Sequence, residues 1–256
     1  MTDQIAKARA FHALHVKGDP VVLFNIWDPG TANIVAGAGA KALATGSSPV
    51  ASAFGFPDGE QIPLDLALDN ISRIAASVDL PLSVDLEGGY GEAPEIVADT
   101  VSRALAAGAI GFNFEDQIVG TVNLHDTAVQ ARRVAAAVAA VKASGIPAFV
   151  NARTDLFLKA ARDRHDDALV DQAVARAKAY ADAGADGFFA PGLADERLIG
   201  RLVEAVALPF NIIALPGVPP KATLAAAGVA RISYGPVPWR RMAAWLEAEA
   251  RAAIAG

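Results

Sequence analysis

The chain has 256 residues, 53% of them hydrophobic, with a formal net charge of −6 and no cysteine. The acidic balance gives nucleic acid or an anionic membrane no electrostatic footing, and the lack of cysteine excludes disulfides, thiolate metal sites and a thiol nucleophile. No apolar run approaches the roughly 18 residues of a membrane span, and the opening MTDQIAKARAFHALHVKGD carries charges throughout, unlike a secretory signal. A soluble cytoplasmic protein is expected.

In chain order, a helix over 3–17 precedes the first apolar run, PVVLFNIWD (20–28), and the small-residue helix GTANIVAGAGA. The second run is KALATGSS (41–48), followed by an irregular loop and a helix over 63–78 whose apolar residues recur every three and four positions. LPLSVDLE (80–87) leads to a helix over 94–107, and IGFNFED (110–116) to a long helix ending near Ser144. IPAFVNARTD (146–155) precedes a helix over 166–183, and ADGFFAPG (185–192), LPFNIIAL (208–215) and VARISYG (229–235) complete the runs. A closing helix spans 237–254. The segments AAGAIGFNF, DAGADGFFA and AAGVARISY repeat one device, a glycine helix stop feeding a strand. Near-continuous apolar strands alternating with helices indicate a parallel sheet, and eight such units close a (β/α)8 TIM barrel. One domain over 1–256 is expected; an open doubly wound sheet is the alternative.

In such a barrel the active site lies at the C-terminal strand ends. Those ends carry Asn25 and Asp28, then Thr45, Gly46 and Ser47, then Asp85 and Glu87. The fourth and fifth add Asn113, Glu115, Asp116, Asn151, Arg153 and Asp155, and the seventh contains Asn211. Carboxylates with water suit a hard cation such as Mg2+. Zn2+ is disfavoured, because the four histidines lie away from the strand ends. Arg153 offers a donor fork for a carboxylate or enolate oxygen, and the amides of TGSS a cradle for a carboxylate. Asp116 and Asp155 alternate to the other face and read as supports. His125 reads as an exposed-loop residue, Trp239 and Trp245 as packing or an oligomer contact. GGYG lacks the dinucleotide spacing.

Together these segments carry a resemblance. VDLEGGYG resembles the D-x-D-x-G-[YF]-G loop of the isocitrate lyase/phosphoenolpyruvate mutase superfamily, GFNFEDQ its G-x-x-x-E-D-[QK], and NARTD its A-R-T-D. FGFPD resembles a loop ending in a catalytic-region aspartate. The resemblance implies a barrel enzyme that uses Mg2+, with Mn2+ as a substitute, to bind 2-oxo or 2-hydroxy acids. It makes or breaks a C–C or P–C bond beside an enolate. It further implies a homotetramer, a dimer of dimers whose last helix is exchanged between neighbours. Carried over, Asp85 is the direct metal ligand, with Glu87 and Glu115 acting through its water. Thr45, Gly46 and Ser47 hold the substrate carboxylate, Arg153 the carboxylate or enolate oxygen, Asn211 a distal group, and Asp58 sits near the reacting end.

The departures narrow the reaction. EDQIVGTVNLHD stands where isocitrate-type lyases carry K-[KR]-C-G-H with its proton-donating cysteine, Glu87 replaces an aspartate, and FAPG lacks a His or Glu. The leading expectation is a Mg2+-dependent lyase cleaving a C–C bond of a small 2-oxo or 2-hydroxy dicarboxylic acid, with decarboxylation needing the fewest groups. The alternatives are a phosphonopyruvate-type P–C hydrolase or mutase with Asp58 as nucleophile, and a barrel that binds a 2-oxo acid without turning it over.

Overall fold

The structure, a computed structural model, describes residues 2–256. Its elements are α1 (Thr2–Ala13), β1 (Val21–Leu23), α2 (Pro29–Gly37), β2 (Leu43–Ala44), α3 (Ser47–Ala53), α4 (Leu64–Ser77) and β3 (Leu82–Asp85). There follow α5 (Pro94–Ala106), β4 (Gly111–Glu115), α6 (Thr127–Ser144), β5 (Phe149–Arg153), α7 (Leu156–Lys159) and α8 (Asp167–Asp182). The chain ends with β6 (Gly187–Phe189), α9 (Glu196–Ala205), β7 (Phe210–Ile213), α10 (Lys221–Ala226), β8 (Arg231–Ser233) and α11 (Val237–Ala255). All strand pairs are parallel, in the order β1-β8-β7-β6-β5-β4-β3-β2. The remaining gap is closed by a parallel bridge between Ile26 and Thr45, where the Ile26 amide donates to Ala44 O at 2.9 Å. The sheet is therefore a barrel and not an open doubly wound sheet.

Two expectations at element level are corrected. The first helix stops at Ala13, not 17, where a ring nitrogen of His15 lies 2.8 Å from Phe11 O and the chain turns through Gly18 at φ +83°. The stretch after strand two begins not as an irregular loop but as helix α3, with Gly46 as its N-cap and Pro49 in its first turn.

Side chains alternate along each strand, and cross-barrel hydrogen bonds identify the inward set. Asn151 Nδ2 on β5 donates to Asn113 Oδ1 on β4 (2.9 Å) and to Asn211 Oδ1 on β7 (3.0 Å). Arg231 Nη2 on β8 reaches across to the same Asn113 Oδ1 at 3.1 Å. The mid-height interior is thus polar, while Phe112, Phe114, Phe188, Phe210 and Ile212 pack outward beneath the helices with no solvent exposure. Helix α1 plugs the lower end: Phe11 lies edge-on to Phe149 at 5.7 Å and His15 stacks on Phe149 at 4.0 Å. Gly187 makes room for that ring, since a Cβ there would come within 2.7 Å of both Phe149 Cε1 and Asn151 Oδ1. Among the described residues no helix is long and apolar enough to cross a membrane.

Candidate active site

The ends of β2, β3, β4 and β5 meet at one rim. Asp85, the last residue of β3, donates its amide to Thr45 Oγ1 (3.1 Å). Its carboxylate accepts from the amides of Ser47 (3.4 Å) and Glu87 (3.3 Å). Register pairs Glu115 with Arg153 on the next two strands. Arg153 Nη1 lies 2.8 Å from Glu115 Oε2 and 3.8 Å from Asp85 Oδ2. From behind, Asp155 grips the same guanidinium with two oxygens, at 2.6 and 3.0 Å. Asp155 in turn donates its amide to Asp116 Oδ1 (2.9 Å), and Asp116 Oδ2 accepts from Tyr180 OH (2.8 Å) and Arg176 Nη1 (2.9 Å). A hydrogen-bond chain anchored on α8 therefore fixes the direction of Arg153, the kind of backing that orients a reactive group.

Burial and neighbouring charge raise three acids of the rim, Glu87, Asp58 and Glu115. Burial, then Asp85 and Asp58, push the Glu87 carboxyl up to about 8. Burial and Asp85 likewise raise Asp58. Burial lifts Glu115 well above the usual range; Arg153 pulls it back, but Asp155, Asp85 and Glu87 add to the rise. One guanidinium is shared among three carboxylates, so none is fully compensated. For the cation-free protein the sign of the linkage is fixed. Glu87 ionises near 4.5 ordinarily and near 8 in the fold, so its contribution to stability is present below pH 4.5 and is lost as pH rises through 8. Thermal melting in a chelator from pH 5 to 9 is expected to show a falling midpoint, with a shallower fall in Glu87→Gln. A midpoint that climbs across this range would contradict the account.

The rim encloses a cavity of two lobes. An acidic lobe of about 480 Å3 is lined by Asp58, Glu87, Glu115, Gln117 and Thr121. A second lobe of about 310 Å3 carries Asp85 and Asn113, then the apolar Leu158, Phe189 and Ile213, and ends at Arg240. Ser47, Asp58 and Arg153 line both. Gly46 joins Ser47 at the second lobe, whereas Thr45 stands behind Asp85 as its support. Asn211 does not line either lobe. Its Nδ2 is engaged by Ile212 O (2.8 Å) and Arg231 O (3.1 Å), so the expected contact with a distal group is not available from this position. Residues 117–125 turn back on themselves through a bridge between Gln117 and Leu124 and wall the acidic lobe. His125 is not exposed: it is buried, its amide bonded to Asp116 O (2.8 Å) and its carbonyl to Arg176 (3.0 Å).

The glycines of VDLEGGYG are set by close neighbours. A Cβ on Gly88 would meet Val119 Cγ2 at 2.8 Å, and one on Gly89 would meet Phe114 Cε2 at 2.9 Å. The same loop holds Glu87 and Tyr90 at φ 50° and 59°, and the facing loop holds Glu60 at φ 57°. Each such residue stores about 1–3 kcal/mol, and the three are strapped together. The Glu60 amide donates to Glu87 Oε2 (3.0 Å) and Glu60 Oε1 accepts from the Tyr90 amide (2.7 Å). Arg133 of α6, fully buried, seals the loop from below by donating to the carbonyls of Gly88, Gly91 (2.8 Å) and Glu92 (3.0 Å). Sequence reasoning missed Glu60 and Arg133. Arg133 shares the buried face of Gln130, Val134 and Ala137, a spacing that marks it as inward; nothing marks Glu60.

Among the described residues no three carboxylate or imidazole groups converge into a closed cation cage. Compared with known proteins, the chain matches the family model of phosphoenolpyruvate phosphomutase over residues 11–254. It is similar to an uncharacterized protein of Mycobacterium tuberculosis, 37% identical over 248 residues that cover 96% of this chain and 88% of that protein. It is similar to 2-methylisocitrate lyase of Escherichia coli, 31% identical over 208 residues, covering 79% and 68%. A Burkholderia cenocepacia crystal structure described as a candidate phosphonomutase superposes with a TM-score of 0.95 at 48% identity, covering 98% of this chain and 99% of that one.

Proposed function

The chain belongs to the phosphoenolpyruvate phosphomutase family, within the isocitrate lyase/phosphoenolpyruvate mutase superfamily, and from that premise we propose a Mg2+-dependent lyase that cleaves a C–C bond of a small 2-oxo or 2-hydroxy dicarboxylic acid. The observation that carries this reading is Arg153, held by Asp155 and Glu115 where the two lobes meet. Bond cleavage next to a 2-oxo carbon places negative charge on its oxygen, and a pre-oriented, largely buried guanidinium stabilises that charge.

The donor set fits a cation of the magnesium kind. It contains only oxygens, burial and neighbouring charge raise Glu87 and Glu115, and such an ion takes one or two carboxylates while keeping its water. Asp85 would hold it, backed by Glu87 and Glu115. When bound, the ion supplies Lewis-acid stabilisation at the 2-oxo group. Gly46 and Ser47 bind the first carboxylate. Arg240, which has no carboxylate partner among the described residues, closes the far lobe and suits the second. The 117–125 wall of the acidic lobe offers Gln117 and Thr121 and no thiol in the place of the lyases' proton-donating cysteine, and the raised carboxyls of Glu87 and Glu115 in this reading are committed to the cation and its water. Decarboxylation, in which CO2 leaves without a general acid, is therefore the favoured cleavage. A panel of 2-oxo and 2-hydroxy dicarboxylic acids assayed with and without Mg2+ tests this, with metal-dependent release of a 2-oxo monoacid the expected result. Phosphate released from phosphonopyruvate would assign the P–C reaction instead, and oxalate binding with no turnover would mark a binder.

We also propose that two or more copies exchange their last helices. Helix α11 buries only Pro238, packs Trp239 edge-on to Trp27 at 5.1 Å, then leaves its own barrel with Trp245, Leu246 and Ile254 exposed. Beside its start, a groove of about 800 Å3 over β8 and β1 is lined by Val22, Leu224, Ile232 and Tyr234. Light scattering is expected to report a tetramer for the full chain and a smaller species after deletion of residues 244–256. A full chain that runs as a monomer would refute exchange.

A further inference from the structure

The substrate lobe has an arginine under its floor that nothing neutralises. Arg231, the first residue of β8, is 1% exposed, and its Nη1 has no hydrogen-bond partner. Among the described residues no carboxylate lies within ion-pairing distance of it. A residue that only filled this space would be apolar, because an isolated buried cation is costly. Burial lowers the guanidinium to about 9 and Asp85 pulls it back, so it stays charged at neutral pH.

That charge dictates which way Asn113 points. Arg231 Nη2 lies 3.1 Å from the Asn113 side chain, and Asn151 Nδ2 donates to the same atom at 2.9 Å. A guanidinium has no acceptor, so the atom facing it is the amide oxygen, and Asn113 Nδ2 must face the other way. Asn113 lines the lobe beside Asp85 and Arg153, and among the described residues its Nδ2 has no partner. Arg231 Nε also reaches Ser233 Oγ, at 3.4 Å, and Ser233 lines the same lobe. The floor is therefore a donor surface backed by a fixed positive charge. It faces an acidic rim that would otherwise repel an anion, and donors polarised in this way bind anions more strongly.

We propose that Asn113 Nδ2 donates to an anionic oxygen of the bound oxo acid, and that Arg231 is a positioning residue that locks the Asn113 amide with its donor toward the lobe. This rests on the oxo-acid reading of the site. Oxalate, a planar dianion shaped like the enolate of a 2-oxo acid, is the probe, titrated calorimetrically in the presence of Mg2+. Asn113→Asp keeps Arg231 paired and so should preserve the melting temperature, yet it presents a carboxylate in place of the donor. Oxalate affinity is expected to fall about 100-fold. Arg231→Met is expected to fold, since apolar replacement of a buried charge is often neutral, but to bind oxalate about tenfold more weakly; Arg231→Lys should recover part of the loss. In the unaltered chain, the Asn113 side-chain amide resonances are expected to move when oxalate saturates, a readout that needs no variant to fold. Affinities within about twofold of wild type in both Asn113→Asp and Arg231→Met, or resonances that stay fixed at saturation, would overturn the donor role alone. Failure of the unaltered chain to bind oxalate would count against the oxo-acid reading and remove the donor role with it.

Discussion

Asp85→Ala is expected to reduce Mg2+-dependent turnover of a 2-oxo acid by about a thousandfold or more, with the fold retained. Removing a Lewis acid's anchor forfeits several kcal/mol of transition-state charge stabilisation, and about 4 kcal/mol is a factor of a thousand. Asp85 is the carboxylate placed for that role. It ends β3, the amides of Ser47 at the start of α3 and of Glu87 aim its oxygens, and it lines the lobe with Asn113 and Arg153. Its loss should not unfold the chain, because the carboxylate raises Glu87 and Asp58 and its removal relieves both. Calorimetric Mg2+ titration beside the turnover assay separates the two consequences. A variant with wild-type metal binding and turnover would sink the assignment of Asp85.

Arg153→Met is expected to lower activity by about 10^2–10^3-fold and, separately, to destabilise the fold by about 3–5 kcal/mol, the usual result of stranding buried charges. The reason is the count of acids around it. Glu115, Asp155 and Asp85 all lean on one guanidinium, which burial alone would depress but which these carboxylates hold well above its ordinary value. Arg153→Lys keeps the charge but cannot reproduce the two-pronged contact with Asp155, and should fall between wild type and methionine in both measures. Neutralising a partner tests the split: Arg153→Met with Glu115→Gln should recover stability in urea denaturation without recovering activity. Recovery of both together would mean that Arg153 acts only through stability.

Where legibility failed, the failures have a shared cause. The eight strand–helix units and their glycine stops are local features, so they could be read in order. The end of α1 at Ala13 and the helix at Ser47–Ala53 were misplaced because short polar stretches carry little periodicity. At the rim, Asp85, Glu115 and Arg153 stood out because acids and an arginine closing apolar strands have few structural uses. The family resemblance implies a distal-group contact for Asn211, but its amide is engaged by backbone carbonyls beneath the cavity. His125 looked exposed in a polar segment and is buried between the end of β4 and α8.

The sequence alone determined a parallel α/β fold, through near-continuous apolar strands alternating with helices, and its eight units pointed to a barrel, which the Ile26–Thr45 bridge then decided against an open sheet. It also determined the chemical character of the rim, oxygen donors with one arginine. Only the tertiary structure decided which polar side chains meet. Arg231 and Asn113 are 118 residues apart and lie on strands that are not neighbours, and Glu60 reaches Glu87 from a separate loop. Closure of the barrel brings such residues to one height and one side, and no spacing along the chain encodes that meeting.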